Sequence, residues 1–181
     1  MNMNILILIV VSIVSIIIYF RNRVKRTYYK TGQLESKTPY VRGEENGIEK
    51  KYYDNGQLEF EIPYKNGKKH GIWKVYYETG QLMWECPHDN DKLHGIEKKY
   101  YQNGQLMYEL PYKNGKKHGI WKGYYETGQS RYEIPYDNDK LHGIIKDYYK
   151  NGKLREESRY VLGKLRSTIN YDENGNIIIK K

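Results

Sequence analysis

Histidines and glutamates that could ligate a metal or act as paired acids recur along this chain every 24 residues. They are His70, His94, His118 and His142, and Glu61, Glu85, Glu109 and Glu133. If each 24-residue unit contributes two strands, equivalent side chains lie about 10 Å apart. A zinc ion holds its ligands at about 2 Å, and the carboxyl groups of a retaining glycosidase lie about 5 Å apart. This spacing predicts neither a metal site nor a carboxylate pair.

Cysteine chemistry is not indicated either. Cys86 is the only cysteine, so no disulfide can form within the chain. Its equivalents in other units are Ile62, Leu110 and Ile134, which indicates a packed apolar position rather than a reactive thiol. The chain also has no G-x-S-x-G motif and no Walker-type phosphate loop. We therefore predict a protein that is not an enzyme, with no cofactor and no metal.

The 24-residue period is defined by tyrosine pairs, each followed three residues later by glycine. The pairs are Tyr28-Tyr29, Tyr52-Tyr53, Tyr76-Tyr77, Tyr100-Tyr101, Tyr124-Tyr125 and Tyr148-Tyr149. A constant period of this length is typical of stacked repeats, in which no unit can bury its apolar surface alone. The 21 tyrosines and the absence of alanine favour strands over helices. The sequence thus predicts an all-β, elongated antiparallel array of hairpins, with six repeats over residues 27–160 and a degenerate capping repeat at 161–181.

The glycines also predict how the strands pair. A three-residue loop that ends at Gly80 puts this glycine in the left-handed region and, counted outward, pairs Lys74 with Trp84 and Ile72 with Cys86. The Lys-Asn-Gly loops that join units are predicted to contain three residues as well. Both loops place an isoleucine row and an aromatic row on one face, which we interpret as the core. These rows are Ile48, Ile72, Ile96, Ile120 and Ile144, and Phe60, Trp84, Tyr108 and Tyr132.

The opposite face is predicted to carry a strip of tyrosine and tryptophan. One interpretation is that these rings cover the backbone and stabilise a single-layer sheet through cross-strand contacts. The other is that they bind a protein partner, because tyrosine and tryptophan bury much area at a small cost in entropy. The candidate partner-binding strip consists of Tyr53, Trp73, Tyr77, Tyr101, Trp121, Tyr125 and Tyr149.

The N-terminus is apolar and is predicted to be a membrane anchor over residues 1–20. Ile5 to Phe20 contains no charge, although it is short against the roughly 20 residues that cross a bilayer. A cleaved signal peptide is the alternative, but it would carry basic residues before the apolar run. Here a basic juxtamembrane segment, residues 21–26, follows the run, which predicts a single-pass protein with cytoplasmic repeats. The membrane-proximal basic residues are Arg21, Arg23, Lys25 and Arg26.

The formal net charge of +9 does not by itself predict nucleic-acid binding. Nucleic-acid-binding surfaces have a basic stripe with few acids along it, whereas 22 acidic residues are interleaved with the lysines of this chain. Basic residues of the array that lie near the predicted anchor would suit anionic lipid headgroups instead.

The string Y-Y-x-x-G-Q-L, followed by E-x-P-Y-K-N-G-K-x-H-G-I-W-K, resembles the MORN-repeat variant family over about residues 27–160. Bacterial members of that family are often described as YwqK-like antitoxins. The resemblance implies hairpins stacked into a long sheet and a role in protein–protein or membrane-associated contact. It does not imply a catalytic residue. We therefore predict a membrane-anchored scaffold that binds a protein. The alternatives are binding to an anionic lipid surface and neutralisation of a partner toxin.

Overall fold

The computed structural model describes residues 3–179, and for residue 13 and residues 15–21 it describes the backbone alone. The described residues form one helix, α1 (Met3–Arg21), followed by 18 strands in a single sheet. The strands are β1 (Asn22–Tyr28), β2 (Leu34–Val41), β3 (Glu44–Glu45), β4 (Gly47–Tyr52), β5 (Leu58–Lys65), β6 (Lys68–Lys69), β7 (Gly71–Tyr76), β8 (Leu82–Asp89), β9 (Lys92–Leu93), β10 (Gly95–Tyr100), β11 (Leu106–Lys113), β12 (Lys116–Lys117), β13 (Gly119–Tyr124), β14 (Ser130–Asp137), β15 (Lys140–Leu141), β16 (Gly143–Tyr148), β17 (Leu154–Val161) and β18 (Lys164–Asn170).

The long strands pair antiparallel in chain order, so the sheet is an open meander. Hairpins such as β7–β8 alternate with pairings between repeats such as β8–β10. Five two-residue strands pair with the end of the long strand before them. The predicted all-β array of antiparallel hairpins is confirmed. Its repeats stack along the sheet, so that each one is covered mainly by its two neighbours.

Glycine ends the three-residue loop inside each repeat, as predicted. Gly80 has φ +89°, and its N–H donates to the Tyr77 carbonyl at 2.8 Å. The Tyr77 N–H in turn donates to the Gln81 carbonyl at 2.9 Å. Glycine suits this position because it has no Cβ to clash in the left-handed region.

Beyond this loop, the strand register predicted from the sequence is wrong by one residue. A β-bulge at Met83 puts Lys74 opposite Glu85, whereas the sequence predicted Trp84 as its partner. Trp84 lies opposite Val75 instead. A bulge adds one residue to one strand, and a one-residue change moves every later side chain to the other face of the sheet.

The bulge therefore exchanges the predicted core row for another. Ile72 lies opposite Pro87 and is 46% exposed, whereas Cys86 lies opposite Trp73 and is 1% exposed. The isoleucine row that the sequence assigned to the core is on the surface in every repeat. The buried row consists of Cys86 and its equivalents Thr38, Ile62, Leu110 and Ser158.

The turns between repeats contain two residues, not the three predicted. Asn66 and Gly67 have φ values of 52° and 72°, as expected of a type I′ turn. In alternate repeats Asn90 and Asp91 adopt the same conformation without glycine, at 48° and 66°. The Asp91 carboxylate accepts the Lys69 N–H at 2.9 Å, and this bond supports the turn from the preceding repeat.

A second glycine lets each hairpin pack against the one before it. Gly71 has φ +115°, and a Cβ added there would lie 2.9 Å from Cγ of Pro63. The same close approach recurs at four other Gly–Pro pairs along the sheet. Glycine is thus required after each repeated histidine by both backbone conformation and space.

Helix α1 ends where β1 begins, with no linker between them. Its described side chains are exposed, and all of them except Asn4 and Ser12 are apolar. Within the part of the chain that the structure describes, no helix is long and apolar enough to cross a membrane. The predicted transmembrane span is therefore not supported, and its side chains at residue 13 and residues 15–20 lie outside the described ones.

Candidate interaction surface

Aromatic rings from successive strands contact one another along one face of the sheet. Trp73 on β7 and Trp84 on β8 meet edge to face, with ring centroids 5.0 Å apart. Trp121 on β13 lies between Tyr108 and Tyr132, at centroid distances of 6.1 and 5.1 Å. We call these five residues the aromatic line.

Glu97 on β10 joins the two parts of the aromatic line. Its Oε1 accepts the indole N–H of Trp84 at 3.0 Å and the hydroxyl of Tyr108 at 2.6 Å. Burial, and then the hydrogen bond to Glu97, raise the pKa of Tyr108, so its hydroxyl stays protonated and donates at neutral pH. The contacts are therefore continuous over six long strands, from β7 to β14.

The two tryptophans at the repeat position of Glu97 have a different environment. Among the described residues, the indole N–H groups of Trp73 and Trp121 are buried and make no hydrogen bond. The ammonium groups of Lys69 and Lys117 lie 4.2 and 5.5 Å from the respective ring centroids, within cation–π range. Indole and carboxylate thus alternate along this face with a period of two repeats.

The tyrosines of the predicted strip link each repeat to the next. In each of them the hydroxyl donates to the main-chain carbonyl of a residue 22 or 23 positions later. The bonds are Tyr53 to Tyr76 at 2.8 Å, Tyr77 to Tyr100 at 2.8 Å, Tyr101 to Tyr124 at 2.9 Å, Tyr125 to Tyr148 at 2.7 Å and Tyr149 to Tyr171 at 2.8 Å. These contacts support the interpretation that the tyrosine row stabilises the sheet.

The sequence model of the MORN repeat variant matches the chain six times, over residues 24–42, 45–66, 69–90, 93–114, 117–138 and 141–161. The chain belongs to the MORN repeat variant family. The matches begin within β1 and end at the last residue of β17, so helix α1 lies outside the repeats. No curated protein matches the chain, and the antitoxin role has no support from these comparisons.

Sequence reasoning assigned three rings of the aromatic line, Trp84, Tyr108 and Tyr132, to the face opposite Trp73 and Trp121, because it did not predict the bulge. The sequence does hold one sign of their true position. Gly123 stands where the repeat two units earlier has Val75, and a Cβ at Gly123 would overlap the ring of Tyr132. A glycine directly opposite a large ring indicates that the ring lies over it.

The repeated histidines and the single cysteine are not arranged as a catalytic or metal-binding site in the described part of the chain. His70 Nδ1 lies 3.2 Å from an Asp89 carboxylate oxygen, and His118 lies 3.3 Å from Asp137. No group of three possible metal ligands comes together in the described part of the chain. Burial raises the pKa of Cys86 to about 12, so its thiol is protonated at neutral pH and packs as an apolar group.

Three of the four basic residues that the sequence placed in a separate juxtamembrane segment belong to the first strand of the sheet. Arg23, Lys25 and Arg26 all lie on β1, which pairs with β2 along its length. The guanidinium of Arg23 lies 5.3 Å from the ring centroid of Tyr40. The side chain of Arg21 is outside those that the structure describes. Any truncation intended to preserve the repeats must therefore leave β1 intact.

Proposed function

We propose that this MORN-repeat protein is a non-enzymatic scaffold that binds a protein partner through the aromatic line and the neighbouring tyrosine row. The observation that supports the proposal is the continuity of the aromatic line over six strands. Its rings are half-buried, so each is held in place while part of its surface remains free to contact a partner. Rigid tyrosine and tryptophan side chains of this kind dominate the energetics of many protein interfaces.

The geometry favours an extended partner over a small ligand. Trp73 and Trp121 are separated by four strand spacings, or about 19 Å. A partner that contacts both tryptophans must therefore span at least two repeats. Each contact alone is small, and affinity comes from the number of repeats engaged at the same time.

The proposal is tested by crosslinking the full-length protein to its neighbours in native membranes and identifying the products by mass spectrometry. In the double variant Trp73→Ala with Trp121→Ala, we expect the crosslinked partner to be lost. The matched control is Thr79→Ala with Thr127→Ala, which changes exposed turn residues of the same two repeats. Equal capture by both variants, with circular dichroism showing both folded, would exclude the aromatic line as the binding surface.

The location proposed for the array is the cytoplasmic face of a membrane, with helix α1 as its attachment. The exposed apolar side chains of α1 and the basic residues on β1 directly after it support this arrangement. We expect the full-length chain to sediment with membranes at low salt. Recovery of the intact chain in the soluble fraction would refute attachment.

The basic strand β1 also favours a second candidate function, binding of the array to anionic lipid. In that case the full chain should bind vesicles that contain phosphatidylserine more tightly than neutral vesicles, and high salt should remove the difference. The triple variant Arg23→Gln, Lys25→Gln and Arg26→Gln should lose that preference. If it binds both kinds of vesicle as the parent does, lipid recognition by β1 is excluded.

A further inference from the structure

The face opposite the aromatic line carries an apolar stripe that the proposed function does not use. One isoleucine per repeat is 46–50% exposed there, and four of the five lie directly opposite a proline. We define the Ile–Pro stripe as Ile48, Pro63, Ile72, Pro87, Ile96, Pro111, Ile120, Pro135 and Ile144. Its isoleucines recur about every 10 Å, because each repeat adds two strands.

Between β4 and β17, lysine and glutamate alternate beside this stripe, one charge on each long strand; the alternation ends at β4, because Lys37 on β2 lies opposite Lys50. Glu61 pairs in register with Lys50 on one side and with Lys74 on the other. Their ammonium groups lie 3.3 and 3.5 Å from the Glu61 carboxylate. From β4 to β17 the series reads Lys50, Glu61, Lys74, Glu85, Lys98, Glu109, Lys122, Glu133, Lys146 and Glu157.

Over these ten residues the charge ladder is neutral, and Glu61, Glu85 and Glu109 each form an ion pair with a lysine on a neighbouring strand. Burial opposes ionisation of Glu61, but hydrogen bonds from Lys50 and Tyr76 and the charges of Lys50 and Lys74 lower its pKa. The carboxylate is therefore ionised at neutral pH. A neutral ladder does not select nucleic acid or an anionic lipid surface, both of which require an excess of positive charge.

The ladder is complementary to itself. It contains ten charges, and its midpoint falls between Lys98 on β10 and Glu109 on β11. A two-fold axis at this midpoint, parallel to the strands, places every lysine of one copy over a glutamate of a second copy. It also places Ile96 over Pro111 of the second copy, so the stripe is covered by the same operation.

We propose that two copies of this protein associate face to face and antiparallel through the Ile–Pro stripe and its charge ladder. A different protein would need alternating charges at the same strand spacing of about 4.8 Å. A second copy has that spacing because its sheet and its charge ladder are identical. The interface lies on the opposite side of the sheet from the aromatic line, so this proposal does not depend on the proposed function.

The dimensions suit a dimer of ordinary size. The ten strands span about 43 Å across the sheet. A stable interface buries about 800 Å² on each partner. Over a length of about 43 Å, that area corresponds to a contact about 19 Å wide, measured along the strands. A six-residue strand is about 20 Å long, so the lysine stems and tyrosine rings beside the stripe must contribute to the contact. Because sheets twist, the copies separate towards their ends, and the central pairs contribute most.

Thiol crosslinking of the full-length protein tests both the contact and its direction. Ile96 and Ile48 occupy the same position in different repeats and are 47% and 48% exposed. In the proposed dimer, residue 96 of the two copies is offset by one strand spacing, whereas residue 48 is offset by nine, or about 43 Å. Ile96→Cys and Ile48→Cys are each treated in detergent with a short bis-maleimide. The parent chain is the blank, because Cys86 is 1% exposed.

We expect Ile96→Cys to give a product of twice the chain mass and Ile48→Cys to give none. Equal crosslinking of both variants would indicate parallel or unspecific association and would overturn the proposal. No product from Ile96→Cys, or a product from Ile48→Cys alone, would overturn it as well. Adding Glu109→Lys to the Ile96→Cys chain should reduce the product several-fold, because like charges then meet at the centre. If the product is unchanged while circular dichroism shows the variant folded, the ladder does not pair the copies.

Discussion

The tyrosine hydroxyls that join neighbouring repeats are individually testable, and Tyr101→Phe is the most informative substitution. It keeps the ring and removes the hydroxyl that donates to the Tyr124 carbonyl at 2.9 Å. A bond of this kind contributes about 1 kcal/mol to the free energy of unfolding. For a chain of this size, that corresponds to a fall of about 2–4 °C in Tm. Tyr101 lies near the middle of the array, where a weakened interface affects the repeats on both sides.

The assay is urea unfolding of the full-length protein in one detergent, followed by circular dichroism and by aromatic fluorescence. Tyr28→Phe is the matched control, because Tyr28 is 58% exposed and belongs to the first tyrosine pair. We expect the control to change the free energy of unfolding by less than about 0.5 kcal/mol. An unchanged value for Tyr101→Phe, or an equal loss for Tyr28→Phe, would show that the tyrosine row does not hold the repeats together.

Two further predictions concern packing and pH. Gly71→Ala should lower the free energy of unfolding by more than Gly32→Ala does. Both glycines have positive φ, but only Gly71 has a neighbour, Pro63, within 4 Å of an added Cβ. Equal losses in urea unfolding would show that the backbone conformation alone matters. Burial raises the pKa of Tyr76 and Tyr100 from 10.0 to about 12. Because the fold favours their protonated form, their contribution to stability is complete below pH 10 and is lost as the pH rises through 12. The tyrosinate absorbance that the parent shows and a Tyr76→Phe, Tyr100→Phe double variant lacks should therefore appear together with the change in circular dichroism. If that difference appears near pH 10 while the dichroism spectrum is unchanged, the prediction is contradicted.

The repeat and its inner turn could be predicted from sequence because their causes are local. Gly80 follows Tyr77 by three residues, and that spacing is enough to define a hairpin loop with a left-handed residue. The length of the turn at Asn66 and Gly67 was not predictable in the same way. Asparagine and glycine suit both a two-residue and a three-residue loop, and only the pairing of the flanking strands distinguishes them.

Only the tertiary structure shows on which face of the sheet each aromatic ring lies. The bulge at Met83 has no residue type that specifies it, yet it moves Trp84 and Cys86 to the side of Trp73. The same shift exposes Ile72, which the sequence pattern assigned to the core. As a result, the sequence analysis grouped Trp73 and Trp121, two of its candidate site residues, with the wrong neighbours.

By itself, the sequence determined that this protein is a β-repeat array with a 24-residue period, because period, turn glycines and tyrosine content are properties of the chain alone. The tertiary structure decided which side chains share a surface, and with it the aromatic line and the Ile–Pro stripe. The physical reason is that side chains alternate along a strand, so one extra residue at a bulge reverses every assignment beyond it.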